Sequence, residues 1–367
     1  MPDLYAQAQA VQLATRLLSP GEAFLLLVVL TGGVFLVISA TMATWTLVFR
    51  SRKLALARAL QDRTGRWQYE LQEVLYGDKA PESLSGTVDD DNRVEFLNFL
   101  LEYVRRLEGE EQDIIRRLAE PHLDKITEYL DHPVEARRAR AVQTLGELGL
   151  PTFAEHVIAA LDDSSPDLAM VAASTLSAAD DGGYADPVLA HLDRFAHWRL
   201  DFLAAMLASM GPEAAPSLRW ALADAEVTPN TRAVAADALA LLGDAPAADL
   251  AHEVLVHTEK VELRAAALRL LAAVGRGEHV DAVREAVVDD ALPVRLHAVR
   301  ALGGIGAEED RDLLEDAALS DPAPWAATAA ARALKAAGGP AAPERLAASR
   351  HPRAALGLQV ISEVRSW

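Results

Sequence analysis

Seven leucines stand at almost constant intervals through the last two-thirds of the chain: Leu145, Leu176, Leu207, Leu239, Leu271, Leu302 and Leu334. Glycine follows six of them by four residues, at Gly149, Gly211, Gly243, Gly275, Gly306 and Gly338, and alanine precedes six of them by four. Residues four apart share one face of an α-helix, and glycine marks a helix end because it takes the left-handed conformation at no steric cost. One helical unit has been copied along the chain. A unit so short cannot bury its apolar face alone, so the copies must stack into a solenoid, and solenoids offer long binding surfaces.

Each copy reads as two helices. A turn with Pro or Asp opens the first, as in Asp131-His132-Pro133-Val134, Thr228-Pro229-Asn230 and Leu292-Pro293-Val294, and the second closes on Leu161, Leu192, Leu222, Leu255, Val287 or Leu319. No strand-like alternation interrupts them, so the fold class is all-α. Aromatic residues make up only 5% of a chain that is 51% hydrophobic, which leaves alanine, leucine and valine to fill the core. A net charge of −19 and a pI near 4.9 argue against a nucleic-acid partner, which would need basic surface to neutralise phosphates. The absence of cysteine excludes disulfides, thiolate chemistry and cysteine-ligated metal centres.

Ahead of the repeats, the run from Ala23 to Phe49 carries no charge. A helix of about 20 residues crosses a ~30 Å hydrocarbon layer, so this segment is expected to span a membrane once. Ser19-Pro20-Gly21-Glu22 has the chemistry of a helix start, and Trp45 sits where an interfacial ring belongs. A cleaved signal peptide, with Ser39 to Ala43 as the small-residue site, fits less well because the apolar run far exceeds the short core of a signal sequence. Arg50, Arg52, Lys53, Arg58, Arg63 and Arg66 follow the span while Arg16 alone precedes it, which puts the N-terminus outside and the remainder in the cytoplasm. Trp45, Arg50, Arg52 and Lys53 are therefore the expected membrane-interface residues. The expected division is a short extracytoplasmic tail (1–22), the transmembrane helix (23–49), a juxtamembrane helix with an acidic linker (50–92), a divergent capping repeat (93–130) and the solenoid (131–367). The tail from Leu4 to Leu18 is compatible with a surface helix or with disorder. The juxtamembrane helix either continues as a stalk or breaks near Thr64-Gly65.

The run Pro293-Val294-Arg295-Leu296-His297-Ala298-Val299-Arg300-Ala301-Leu302-Gly303-Gly304-Ile305-Gly306 resembles HEAT repeats, in particular the short PBS-lyase HEAT-like subtype. Val261 to Leu271 and Ala139 to Gly146 repeat the phrase, and the resemblance covers residues 131 to about 348. With a single span in front, the layout is similar to a bacterial group of inner-membrane proteins accessory to glycosyltransferases that make and export polysaccharide. That resemblance implies a scaffold holding a protein partner at the cytoplasmic membrane face. Alternatives are a bilin lyase or isomerase, implied by the name of the subtype, and a signalling adaptor.

Arginine recurs eleven residues before the glycine, at Arg138, Arg232, Arg264 and Arg295. A basic ladder for a ligand is one reading; pairing with aspartates of neighbouring turns, such as Asp162, Asp163, Asp289 and Asp290, is the reading expected here. The third repeat departs from the pattern with Arg194, Trp198 and Arg199, and its second helix carries Arg219 and Trp220. Arginine beside large aromatics is enriched where proteins meet, so these five are the candidate partner-binding residues, with core filling by tryptophan as the competing account. Asp180-Asp181-Gly182-Gly183-Tyr184 is read as a lengthened loop, since the further oxygen ligands of a calcium site are missing. No catalytic, phosphate-binding or metal-binding motif is present. The expectations are no catalytic residue, no cofactor, no metal and no enzyme activity.

Overall fold

A computed structural model describes residues 20–89, 92–149, 151–179, 182–306, 308–339 and 341–365. The tail from Leu4 to Leu18, the cap Ser19, and Asp180 and Asp181 lie outside the described residues. Two compact units divide the chain, Met1–Gly86 and Thr87–Trp367.

The first unit is dominated by helix α1 (Pro20–Leu75), 56 residues long, which runs through Thr64-Gly65 without a break. It contains one stretch, Leu27–Ser51 with mean hydropathy 2.1, that is long and apolar enough to cross a membrane. Trp45 and Arg50 are exposed on it; Arg52 and Lys53 lie on the same helix, with side chains outside the described set. The linker is not wholly loop. Pro81 occupies the first position of a one-turn helix, α2 (Pro81–Ser85), and Leu84 is buried there.

The second unit opens with α3 (Arg93–Val104), α4 (Glu110–Ala119) and α5 (Asp124–Thr127). The expected single stretch from Glu110 to Leu130 is broken by a 3-10 turn at Glu120–His122, because Pro121 has no N–H for an α-helical ladder. Helix pairs follow: α6 (Glu135–Leu148) with α7 (Pro151–Ala159), α8 (Pro166–Ser177) with α9 (Ala185–Ala190), α10 (Leu200–Ala208) with α11 (Ala215–Ala223), and α12 (Pro229–Leu242) with α13 (Ala248–His257). Then come α14 (Val261–Val274) with α15 (Val280–Ala286), α16 (Leu292–Ile305) with α17 (Arg311–Ser320), α18 (Pro324–Gly338) with α19 (Ala341–Ala348), and a last helix, α20 (Ala355–Arg365). The result is an all-α solenoid of HEAT-like repeats. First helices lie side by side along the stack, α12 on α14, α14 on α16, α16 on α18. All seven ladder leucines are buried, as are the alanines four residues before six of them. Of the closing residues, all but the half-buried Leu319 are buried.

The glycines do two different jobs. Gly149 and Gly243 end their helices at positive φ in the left-handed region, as the sequence pattern predicts. Gly275 and Gly306 instead leave the helix with ordinary negative φ, and a Cβ there would lie 2.4 Å from the Leu271 carbonyl oxygen and 2.3 Å from that of Leu302. Space, not handedness, selects glycine at those two turns. Gly338 remains inside α18, which is capped by Gly339.

The recurring arginines act as clips between repeats. Arg138 Nε donates to Asp163 at 2.9 Å, Arg295 Nε donates to Asp321 at 2.8 Å, and Arg264 pairs with Asp289. Each aspartate also accepts a backbone N–H two residues on, from Ser165, Ala291 and Ala323. One carboxylate thus fixes the start of its own helix and the arginine of the preceding repeat. Arg232 lacks such a carboxylate and donates to the Leu222 carbonyl at 3.0 Å. The Arg138 hydrogen bond holds the Asp163 carboxyl below its ordinary value. Burial alone would raise Asp321, yet Arg295 and the Ala323 N–H hold it low as well.

Candidate functional site: a groove at Trp220

The five candidate partner-binding residues separate once they are placed. Arg194 is committed to the chain itself, donating to the Leu161 carbonyl at 2.7 Å and to that of Asp163. Arg199 is exposed but paired with Asp201 at 2.9 Å, and Arg219 faces Asp244 at 3.6 Å. Trp198 is half-buried, its ring stacked on Phe202 with centroids 5.6 Å apart, and its Nε1 is buried without a partner. Only Trp220 presents its ring to solvent, at 63% exposure.

Trp220 stands on α11 beside a cavity of about 690 Å3 lined by α9, the turn after it, α11 and the start of α12. Leu189 and Ala221 give the cavity an apolar floor. Around it stand Asp186, Asp193 and Glu226, all exposed. Asp193 Oδ1 accepts from the hydroxyls of Thr228 at 2.6 Å and Thr231 at 3.1 Å, which fixes its orientation across the groove. Among the described residues, none of the three carboxylates pairs with a lysine or arginine. Sequence reasoning singled out Trp220 but missed these carboxylates. A signal existed: two residues before each closing apolar position stand Ala159, Ala190, Trp220, Glu253, Glu285 and Ala317, so one large ring interrupts small or charged residues.

The lengthened loop is part of the same neighbourhood. Gly182 is buried, and a Cβ on it would come 2.4 Å from the Glu213 backbone carbon. The glycine permits the turn before α9 to lie directly on the turn before α11.

A second cluster lies further along. Ligand atoms of Asp249, Glu278 and His279 fall within 4.8 Å of one another. His279 is buried; its Nδ1 accepts the Arg276 N–H at 3.0 Å, so its Nε2 carries the proton that meets Asp249 at 3.0 Å. The hydrogen bond from His279 holds the Asp249 carboxyl below its usual value. For a cation to take Nε2, the ring must change tautomer and release Arg276.

His297 on α16 marks a third titratable point. Burial, then the charges of Arg269 and Arg300, push its imidazole down to about 4. Arg269 donates to Nε2 at 3.3 Å while its other nitrogens hold Asp237, so the ring is neutral and links α12, α14 and α16. A smaller cavity of about 260 Å3 lies between α3 and α6, with Arg137 and Arg140 at its edge bonded to His132 and Asn98.

A family model described as HEAT repeats matches residues 249–335. No curated protein matches the chain. Among solved structures, the karyopherin Kap121p bound to the extreme C-terminus of the phosphatase Cdc14p is 13% identical, over 74% of this chain and 38% of that one, with a TM-score of 0.41. This chain therefore spans little more than a third of that relative. Human deoxyhypusine hydroxylase in complex with glycerol is 20% identical, over 70% of this chain and 98% of that one, with a TM-score of 0.28. The complex of CpcE and CpcF of phycocyanin lyase from Nostoc is 15% identical, over 73% and 94%, with a TM-score of 0.27. Likeness at this level is one of repeat architecture. The expectation that the chain is not an enzyme is corrected: Asp249, Glu278 and His279 form a cluster with metal-ligand chemistry that sequence spacing did not show. Neither the repeat match nor the chemistry of the groove supports a polysaccharide enzyme or a glycosyltransferase as the partner.

Proposed function

We propose that the chain is a scaffold that holds a partner protein in the groove at Trp220, with the apolar stretch of α1 as its membrane anchor and the solenoid on the cytoplasmic side. One observation carries the reading: a tryptophan 63% exposed on the wall of a ~690 Å3 cavity, at a place that the other repeats fill with alanine or glutamate. Exposed tryptophans over pockets are frequent binding hot spots. Arg50 and the basic residues after it support the orientation. A photo-crosslinking side chain placed at Ser217, on the groove, in the full-length protein in its native cells should give an adduct of one discrete mass. The same side chain at Glu285 should not; no adduct from position 217, or the same adduct from both, overturns the reading. Alkaline carbonate should leave the protein in the membrane fraction, and its release would remove the anchor.

A second reading, that the solenoid carries a reaction as lyase-like solenoids do, is favoured by the Asp249–Glu278–His279 cluster. It requires Zn2+ to raise the melting temperature of the wild type but not of Asp249→Asn; no shift in either excludes metal chemistry at that place.

A further inference from the structure

We infer that the groove at Trp220 recognises an arginine- or lysine-bearing segment of the partner protein, an inference that rests on the scaffold reading above. Its walls place an indole face next to carboxylates without basic partners. An indole attracts a cation over its face, and a carboxylate takes a guanidinium or ammonium by charge-assisted hydrogen bonds. Asp193 is oriented in advance: two threonine hydroxyls occupy Oδ1 and leave Oδ2 for a donor from outside. Asp186 lies on α9 and Glu226 in the turn before α12, so negative charge reaches the groove from separate elements around one apolar floor. The floor of Leu189 and Ala221 suits the methylene stem of the same long side chains that the carboxylates would pair. The chain's net charge of −19 adds a long-range field of the same sign, which attracts a basic segment and repels an acidic one. At about 690 Å3 the cavity accommodates more than one side chain, which fits a peptide segment.

The control for specificity is built into the repeats. Glu253 and Glu285 occupy the place of Trp220 in two later repeats, are exposed, and offer the same charge to remove without touching the groove. The experiment is fluorescence anisotropy with the full-length protein in mild detergent. Its probe is a labelled Gly/Ser peptide of about twelve residues carrying three arginines, beside a peptide with citrulline in their place. D193N/E226Q is expected to weaken binding of the arginine peptide about tenfold, loss of two charge-assisted contacts. W220A is expected to weaken it about fivefold, the size of a cation–π contact. E253Q/E285Q is expected to change it less than about twofold. Melting temperatures of all variants should match the wild type, since each altered side chain is exposed and an amide in place of Asp193 keeps an oxygen to accept from Thr228 and Thr231. Equal loss in the two carboxylate double variants would reduce the attraction to diffuse charge and overturn the proposal, as would equal binding of the citrulline peptide. A crosslinked partner at position 217 combined with either of those results overturns the basic-segment inference alone. Absence of any crosslink overturns the scaffold reading beneath it.

Discussion

The stack from α12 to α18 and the stretch from α9 to the start of α12 are made of the same unit, yet they solve different problems. In the first, the leading helices of the pairs each run about four turns and carry buried alanines and leucines, and Arg264 and Arg295 clip successive repeats. In the second, the leading helix α10 runs only nine residues, and the place that carries arginine elsewhere holds Leu200. Regular repeats put their polar groups into holding one another; the irregular ones leave a ring and three carboxylates free of internal ion pairs. Stability and recognition have been allotted to different copies, and substitutions should separate them.

The largest effect is expected where a clip is cut. Arg295→Ala leaves Asp321 buried without its cation and should cost about 4 kcal/mol of unfolding free energy, measured by denaturant titration. Replacing both partners with apolar residues should recover much of that loss, since no buried charge remains. Leu271→Ala empties a fully buried ladder position and should cost about 3 kcal/mol; a loss under about 1 kcal/mol would mean that the stack collapses around the gap.

Acid should expose the same division more gently. His297 has a folded pKa near 4 against an ordinary value of 6.5, so between those pH values the unfolded chain takes a proton that the folded chain refuses. Stability therefore falls as pH drops through that window. After allowance for solvent screening at a partly open site, the loss is about 1 to 2 kcal/mol, and His297→Gln should flatten it. Asp163 and Asp321 act lower. Their depressed folded values contribute stability above their ordinary 3.8 that is lost as pH falls beneath it, a second phase that His297→Gln should leave in place. The smallest stability effect belongs to Trp220→Ala, under about 0.5 kcal/mol, coupled to loss of the position-217 crosslink. A large drop in melting temperature would return that tryptophan to the core and erase the contrast between the regions.

Periodicity made the frame legible: a leucine that recurs at one nearly fixed interval can be buried in every copy only if the copies stack. The clips were legible too, because arginine and aspartate recur at fixed offsets. Gly275 and Gly306 were read correctly as helix ends but for the wrong reason, since crowding by a carbonyl leaves no mark distinct from a need for positive φ. The groove was half legible. Trp220 broke the pattern visibly, but Asp186, Asp193 and Glu226 are scattered over more than one repeat and look like ordinary surface charge until three elements converge. The cluster of Asp249, Glu278 and His279 was missed for the same reason: its members come from α13 and the turn before α15, at no spacing that a single helix would impose.

The missing clips have a mechanical meaning. A solenoid joined by ionic ties at some steps and by lighter ones at others is a spring with unequal coils. The step from α8 to α10 has no arginine at the clip position and is held by Arg194 on the backbone carbonyls of Leu161 and Asp163, and the next is tied by Asp193 to the neutral hydroxyls of Thr228 and Thr231. Bending or twisting imposed on such a stack concentrates where the ties are lightest, which includes the repeat of Ala327 as well as those that border the groove. A load on the solenoid should thereby register at the groove more than at the steps that Arg264 and Arg295 clip.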